Sequence, residues 1–182
     1  MSTVTIDLGE MRALERNLRR YGNDFADKVL LRSVNKVART AKTKSIRAVR
    51  EAANFDRVGL VRDVTTISFA SKARPFAEIT MRSGWQTLKR HHPSPRQGAA
   101  GKPFRRAKPW GTSRTYQKAF HLSNGLPAIR TSGARFPVKV LHGASAAREL
   151  ERPKAQDQVT QYVGERLPAE VQRYSKYMLS RL

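Results

Sequence analysis

Thirty residues from Asp24 to about Ala53, DFADKVLLRSVNKVARTAKTKSIRAVREAA, contain neither proline nor glycine. No other feature of the chain restricts its folding as strongly. On a wheel at ~100° per residue, Leu30, Leu31, Val34, Val37, Ala38, Ala41, Ala48, Val49 and Ala52 fall on one face. Lys28, Arg32, Lys36, Arg39, Lys42, Arg47 and Arg50 gather on the opposite one, while Val29 and Ile46 break the pattern. The spacing predicts one amphipathic helix, capped at Asp24 and ~45 Å long at the standard rise. Its polar face carries almost a single sign, and like charges four residues apart repel. A solvated face of mixed sign would avoid that repulsion, so the stripe points to an anionic partner touched by Arg32, Lys36, Arg39 and Arg47.

The flanking segments have other periods. TVTID alternates apolar and polar residues and predicts a short strand. Asp7 and Glu10 have the spacing of a capping box. Met11, Leu14, Leu18 and Tyr21 then recur at helical spacing up to Gly22, a residue suited to ending a helix. From Val61 the chain turns β-branched, and VTTISFAS and FAEITM around KARP predict a β-hairpin. TYQKAFHL, LPAIRT and FPVKVL read as further strands. Asn124-Gly125 is the turn between the first two, and Pro127 and Pro137 mark strand starts or edges. Helical spacing returns from Pro153 to Leu182, with Pro168 either kinking that helix or opening a new one. The fold class is therefore α+β: N-terminal helices including the long basic one, a mainly antiparallel sheet of hairpins, and a C-terminal helix. At 182 residues the chain reads as a single domain, 1–182. Within it a Pro/Gly-rich basic stretch at about 89–111 reads as a loop or arm, mobile when alone.

Thirty-six Lys and Arg against fourteen Asp and Glu leave a net charge of +22. That balance implies a polyanionic partner. The absence of cysteine excludes disulfides, thiolate metal sites and a cysteine nucleophile. MSTVTIDLGEM lacks the basic-then-apolar layout of a signal peptide, and no apolar run approaches the ~20 residues that span a bilayer. His91-His92 have no third ligand at useful spacing and lie among cations that repel a metal ion. His121 and His142 stand alone. Asp56, Asp63 and Glu78 are not spaced as a nuclease cluster. GKPFRR lacks the phosphate-loop pattern, and Ser145 in GASA lacks the setting of a nucleophile elbow. The residues therefore indicate no enzyme, no metal and no cofactor.

The basic stretch does place aromatic residues, Phe104 and Trp110, among cations such as Arg105 and Arg106. That mixture suits phosphate contact and base stacking. A non-sequence-specific nucleic-acid-binding protein is thus one reading of the residues. A small basic nuclease is a weaker one.

The order of parts also carries a resemblance. LLRSVNKVARTAKTKSIRAVRE leads into a strand pair, followed by YQKAF, NGLPAIRTSG, FPVKVLHGAS and a C-terminal helix. This is similar to the minor tail protein Z, or tail-completion, family of long-tailed phages. Asn35 to Thr43 are similar to that family's early helix, and the run ending in His142-Gly143-Ala144-Ser145 to its late β-region. The resemblance covers most of the chain and is weakest from His91 to Pro109. It implies a structural virion protein, made in the host cytoplasm, that completes the head-proximal end of the tail and supports head–tail joining. The implied partners are further copies in a sixfold ring, the tail terminator and other neck proteins, and the end of the packaged DNA. No membrane is implied.

Overall fold

The computed structural model describes residues 1–6, 12–94 and 100–181. The expected capping pair Asp7 and Glu10, with Met11, the side chain of Leu14, and Leu182, lie outside the described residues. In chain order the elements are β1 (Ser2–Ile6), α1 (Arg12–Arg19), α2 (Asn23–Ala53), α3 (Gly59–Arg62), β2 (Thr65–Ser68) and β3 (Ala77–Met81). They continue as β4 (Arg106–Ala107), β5 (Arg114–Thr115), β6 (Ala119–His121), β7 (Pro127–Arg130), β8 (Val138–Val140), α4 (Ala146–Leu150) and α5 (Pro153–Leu179). The fold is α+β, with the long basic helix, hairpin strands and C-terminal helix that the sequence pattern predicts. Its contacts divide the chain into two compact units.

The helical unit comprises Ser2–Ser45, Thr65–Thr80 and Glu151–Leu182. Gly22, at φ +110°, ends α1 in a backbone region costly for residues with a Cβ, and its carbonyl receives the Ala26 N–H as α2 begins. Asp24 therefore sits in the first turn of α2 rather than before it, and its carboxylate pairs with Lys72 at 2.9 Å. The apolar stripe is buried as expected: Leu30, Val34, Val37, Ala38 and Ala41 pack with Ile6, Ile79, Val159 and Val171 in one core. Each buried Val or Leu contributes roughly 2 kcal/mol by removing apolar surface from water.

Val29 and Ile46, which break the wheel pattern, are nonetheless buried, at 0% and 6% exposure. The helix is covered over a wider arc than one stripe. Ser33 and Ser45 are buried as well, and their hydroxyls are satisfied by donating to the carbonyls of Val29 and Ala41 one turn back. The sheet runs in the order β1-β3-β2. Asn35 ties the β2–β3 hairpin to α2, because its amide both donates to the Ala70 carbonyl and accepts from the Ala70 N–H. Pro168 lies within the continuous α5 and does not start a new helix.

The hairpin unit comprises Met1, Ile46–Val64 and Met81–Leu150. β7 is the central strand of an antiparallel β6-β7-β8 sheet, with Phe120 opposite Ala128 and Ile129 opposite Lys139. Pro127 opens β7, where its missing N–H costs no ladder bond in the strand interior. Gly125, at φ +71°, makes the β6–β7 turn that Asn124-Gly125 predicts. The described part of the 89–111 stretch is anchored to this unit. Phe104 is 1% exposed and packs with Leu88, Ala107 and Ala119. Arg106 pairs with Thr115 and Ala107 with Arg114 across β4 and β5, and Ser94 bridges Arg106.

His91 is fully buried in this unit. Its Nδ1 lies 3.0 Å from the carbonyl of Ala53, the last residue of α2, and its Nε2 accepts the Ala144 N–H at 3.2 Å. An acceptor at Nε2 leaves the proton on Nδ1, so the two bonds together fix a neutral tautomer. Burial pushes the imidazole below its ordinary pKa, against the opposing effect of its bond to Ala53. The HGAS segment closes over this ring. Gly143 lies so near that an added Cβ would meet Nε2 at 2.5 Å. Ser145 donates to the Ser83 carbonyl, and the Ser83 hydroxyl accepts the Ala146 N–H.

Gly143→Ala is expected to destabilise the protein by about 1–3 kcal/mol through this overlap. Gly84→Ala, where a Cβ meets nothing within 4 Å, is expected to change little. Thermal unfolding followed by circular dichroism compares the two. Equal midpoints would show that the His91–Gly143 contact yields without cost.

Candidate functional site

Among the described residues, no three His, Asp or Glu side chains gather to hold a metal ion, and no helix is long and apolar enough to cross a membrane. The surfaces to consider are cationic, one in each unit.

In the helical unit, three of the four cations expected to face a partner are engaged within the unit. Arg32 donates to the Tyr174 hydroxyl at 2.8 Å, and its guanidinium lies 4.6 Å from the centre of that ring. Lys36 pairs with Glu170 at 2.9 Å, and Arg173 bonds the same carboxylate oxygen. Arg39 lies over the Phe69 ring at 5.1 Å. All three keep exposed surface. Arg32, Ser33, Lys36, Glu170, Arg173, Tyr174 and Tyr177 line a cavity of about 190 Å³. Partial burial acts to raise the pKa of Glu170. The hydrogen bonds from Arg173 and Lys36, with their charges, outweigh it and hold the carboxyl below its usual range. The wheel anticipates where these cations stand but not their internal partners, because Tyr174 and Glu170 lie more than a hundred residues away in sequence.

In the hairpin unit lie Arg47, Arg105, Arg106 and Trp110, the first three exposed. Arg105 and Arg106 are carried at the start of the β4–β5 hairpin. Trp110 stands between those strands, at φ +54° and ψ 30°, a left-handed conformation that a bulky residue adopts only when its surroundings impose it. The surroundings are visible. Asn54 donates to the Lys108 carbonyl at 2.7 Å, the Lys108 N–H bonds the His91 carbonyl, and the Trp110 indole N–H donates to Glu149 at 2.7 Å. Phe104, the other aromatic of this stretch, is buried and offers no face for stacking.

Trp85 takes the place that Phe104 cannot. It is 49% exposed, and the Arg148 guanidinium lies 4.5 Å from its ring centre. Its position follows from the extended segment after β3. Gln86 and Gly143 exchange backbone bonds with Ala144 and Gln86 respectively, and Thr87 bridges His142. The sequence pattern gives Trp85 no role. One signal was there: between Glu78 and Glu149 the chain has fourteen Lys and Arg, no Asp or Glu, and both of its tryptophans. By unit, the hairpin unit holds eighteen Lys and Arg against four Asp and Glu, and the helical unit eighteen against ten. The positive excess is thus concentrated in the hairpin unit.

No family model, no curated protein and no solved structure matches the chain.

Glu170→Gln removes the carboxylate shared by Lys36 and Arg173 and is expected to cost on the order of 1 kcal/mol at neutral pH. A carboxyl held low in the folded state stabilises above its unfolded pKa, about 4.3, and that contribution is lost as pH falls through the folded value. The gap between wild type and variant should therefore be full near neutrality and close in acid. Denaturant unfolding across that pH range measures it, and a gap independent of pH would assign the loss to packing.

Proposed function

We propose that the protein is a structural component of a phage tail that completes the head-proximal end and supports head–tail joining as a ring subunit. The proposal involves no catalysis and no cofactor. Its partners are further copies of the chain, the tail terminator and other neck proteins, with the end of the packaged DNA as an anionic contact.

The observation that carries this reading is the use made of the most distinctive stretch of the resemblance, FPVKVLHGAS. None of its polar side chains is arranged for chemistry. Val138–Val140 form an edge strand, Gly143 makes room for His91, and Ser145 closes on Ser83. A segment devoted to a strand edge and to backbone staples suits a part that docks against neighbours. The exposed cations on α2 and the β4–β5 hairpin suit acidic tail proteins or DNA.

Two measurements test the reading. Labelled antibody against the chain is expected to mark one end of isolated tails, and labelling along the whole tube, or none, would overturn the placement. Deletion of the gene is expected to leave tails of normal length that join heads poorly. Tails of altered length would instead point to length control.

A further inference from the structure

Both tryptophans of the chain line one open cleft in the hairpin unit, of about 490 Å³, with His142 and Gly143 completing the wall. That volume is in the range of small-ligand sites. The cleft is built rather than incidental. Gly143 is held under the His91 ring, Trp110 is fixed by its bond to Glu149, and Trp85 is set by the pairing of 86–88 with 141–144. Glu149 is 2% exposed, so its carboxyl group is buried and not presented to a ligand. The charges around the cleft are positive. Arg148 lies over Trp85, Arg114 lies 5.6 Å from the Trp110 ring centre, and the hairpin that holds Trp110 carries Arg105, Arg106 and Lys108.

We infer that this cleft binds an unpaired segment of nucleic acid, with a base stacked on Trp85 and the neighbouring phosphates held by Arg148, Arg114 and the cations of the β4–β5 hairpin. The ligand must supply both a flat π surface and negative charge at short spacing. An unpaired strand does so at every nucleotide, whereas a duplex keeps its base faces stacked and offers phosphate alone. An acidic polypeptide would satisfy the cations and leave the half-exposed indole unused. The inference rests on the geometry of the hairpin unit alone and holds or fails independently of a place in a phage tail.

Because Trp85 and Trp110 are the only tryptophans, emission excited at wavelengths beyond the absorption of the five tyrosines reports on this cleft. The full-length protein is titrated with a short oligothymidylate, with a duplex of equal phosphate number, and with polyglutamate. Oligothymidylate is expected to quench the emission and to keep part of that quenching as salt is raised. Duplex is expected to bind with little quenching and to be released by salt. Trp85→Ala should weaken oligothymidylate binding, read by anisotropy of a labelled strand, about ten-fold, the lower end of what one stacking platform supplies. Trp85→Phe should recover most of the loss. The wild-type titration decides the matter even if the alanine variant does not fold. Equal quenching by duplex, equal quenching by polyglutamate, no quenching at all, or unchanged affinity in Trp85→Ala would each overturn the inference.

Discussion

An isolated helix is marginal in water unless one face is taken out of it, and α2 is 31 residues long with a cation on most turns of its outer side. Its own charges oppose it. Burial of its apolar residues is what stabilises it, and the rest of the structure depends on that burial. Leu30, Val34, Val37 and Ala41 are the floor on which β1, β3 and α5 assemble in the helical unit. Farther along the helix, the carbonyl of Ala53 receives the His91 imidazole in the hairpin unit. The contacts that relieve its outer face, Glu170 on Lys36 and Tyr174 under Arg32, come from α5 and could form only once that packing had brought the helices together.

In the hairpin unit the corresponding organiser is a single uncharged ring. His91 ends one helix, supports the backbone of the HGAS segment through the Ala144 N–H, and leaves space beside it that only glycine fits. That segment in turn sets the height of Trp85 by strand-like pairing, and the His91 carbonyl accepts the Lys108 N–H two residues before Trp110. The cleft is therefore a product of buried polar bonds more than of hydrophobic shape.

Periodicity made α2, α5, the β2–β3 hairpin, the strands β6 to β8 and the Asn124-Gly125 turn legible, because each reflects a local rule of spacing or backbone geometry, but it missed the short α3 and α4, the first of which contains Val61, and the β4–β5 pair. It did not reveal that Val29 and Ile46 are covered, since a wheel assumes one buried face and α2 has a wider one. Nor could it separate Phe104 from Trp110. Both sit among cations in a Pro/Gly-rich stretch, and only pairing with Ala119 and Leu88 sends the first inward. The partners of Arg32 and Lys36 were hidden for the same reason, being contacts across long sequence separations. Trp85 was missed although the acid-free run that contains it is plain in the sequence. Local patterns say what a segment can become, and the long-range pairings decide which side chains remain available.

That run has a physical consequence of its own. Across the 70 residues between Glu78 and Glu149 every formally charged side chain is positive. Rearrangement within the segment cannot neutralise it, and each compact conformation concentrates the same charge in a smaller volume. The four acids elsewhere in the unit offset only a small part of it, and the rest of the compensating charge comes from outside, as a diffuse cloud of small anions in the free protein and as fixed polyanion in a complex. The ionic atmosphere is in that sense a component of this unit, with composition and thickness of its own. Exchanging many small mobile anions for one large one releases them to solution, a gain in entropy available before any specific contact is made.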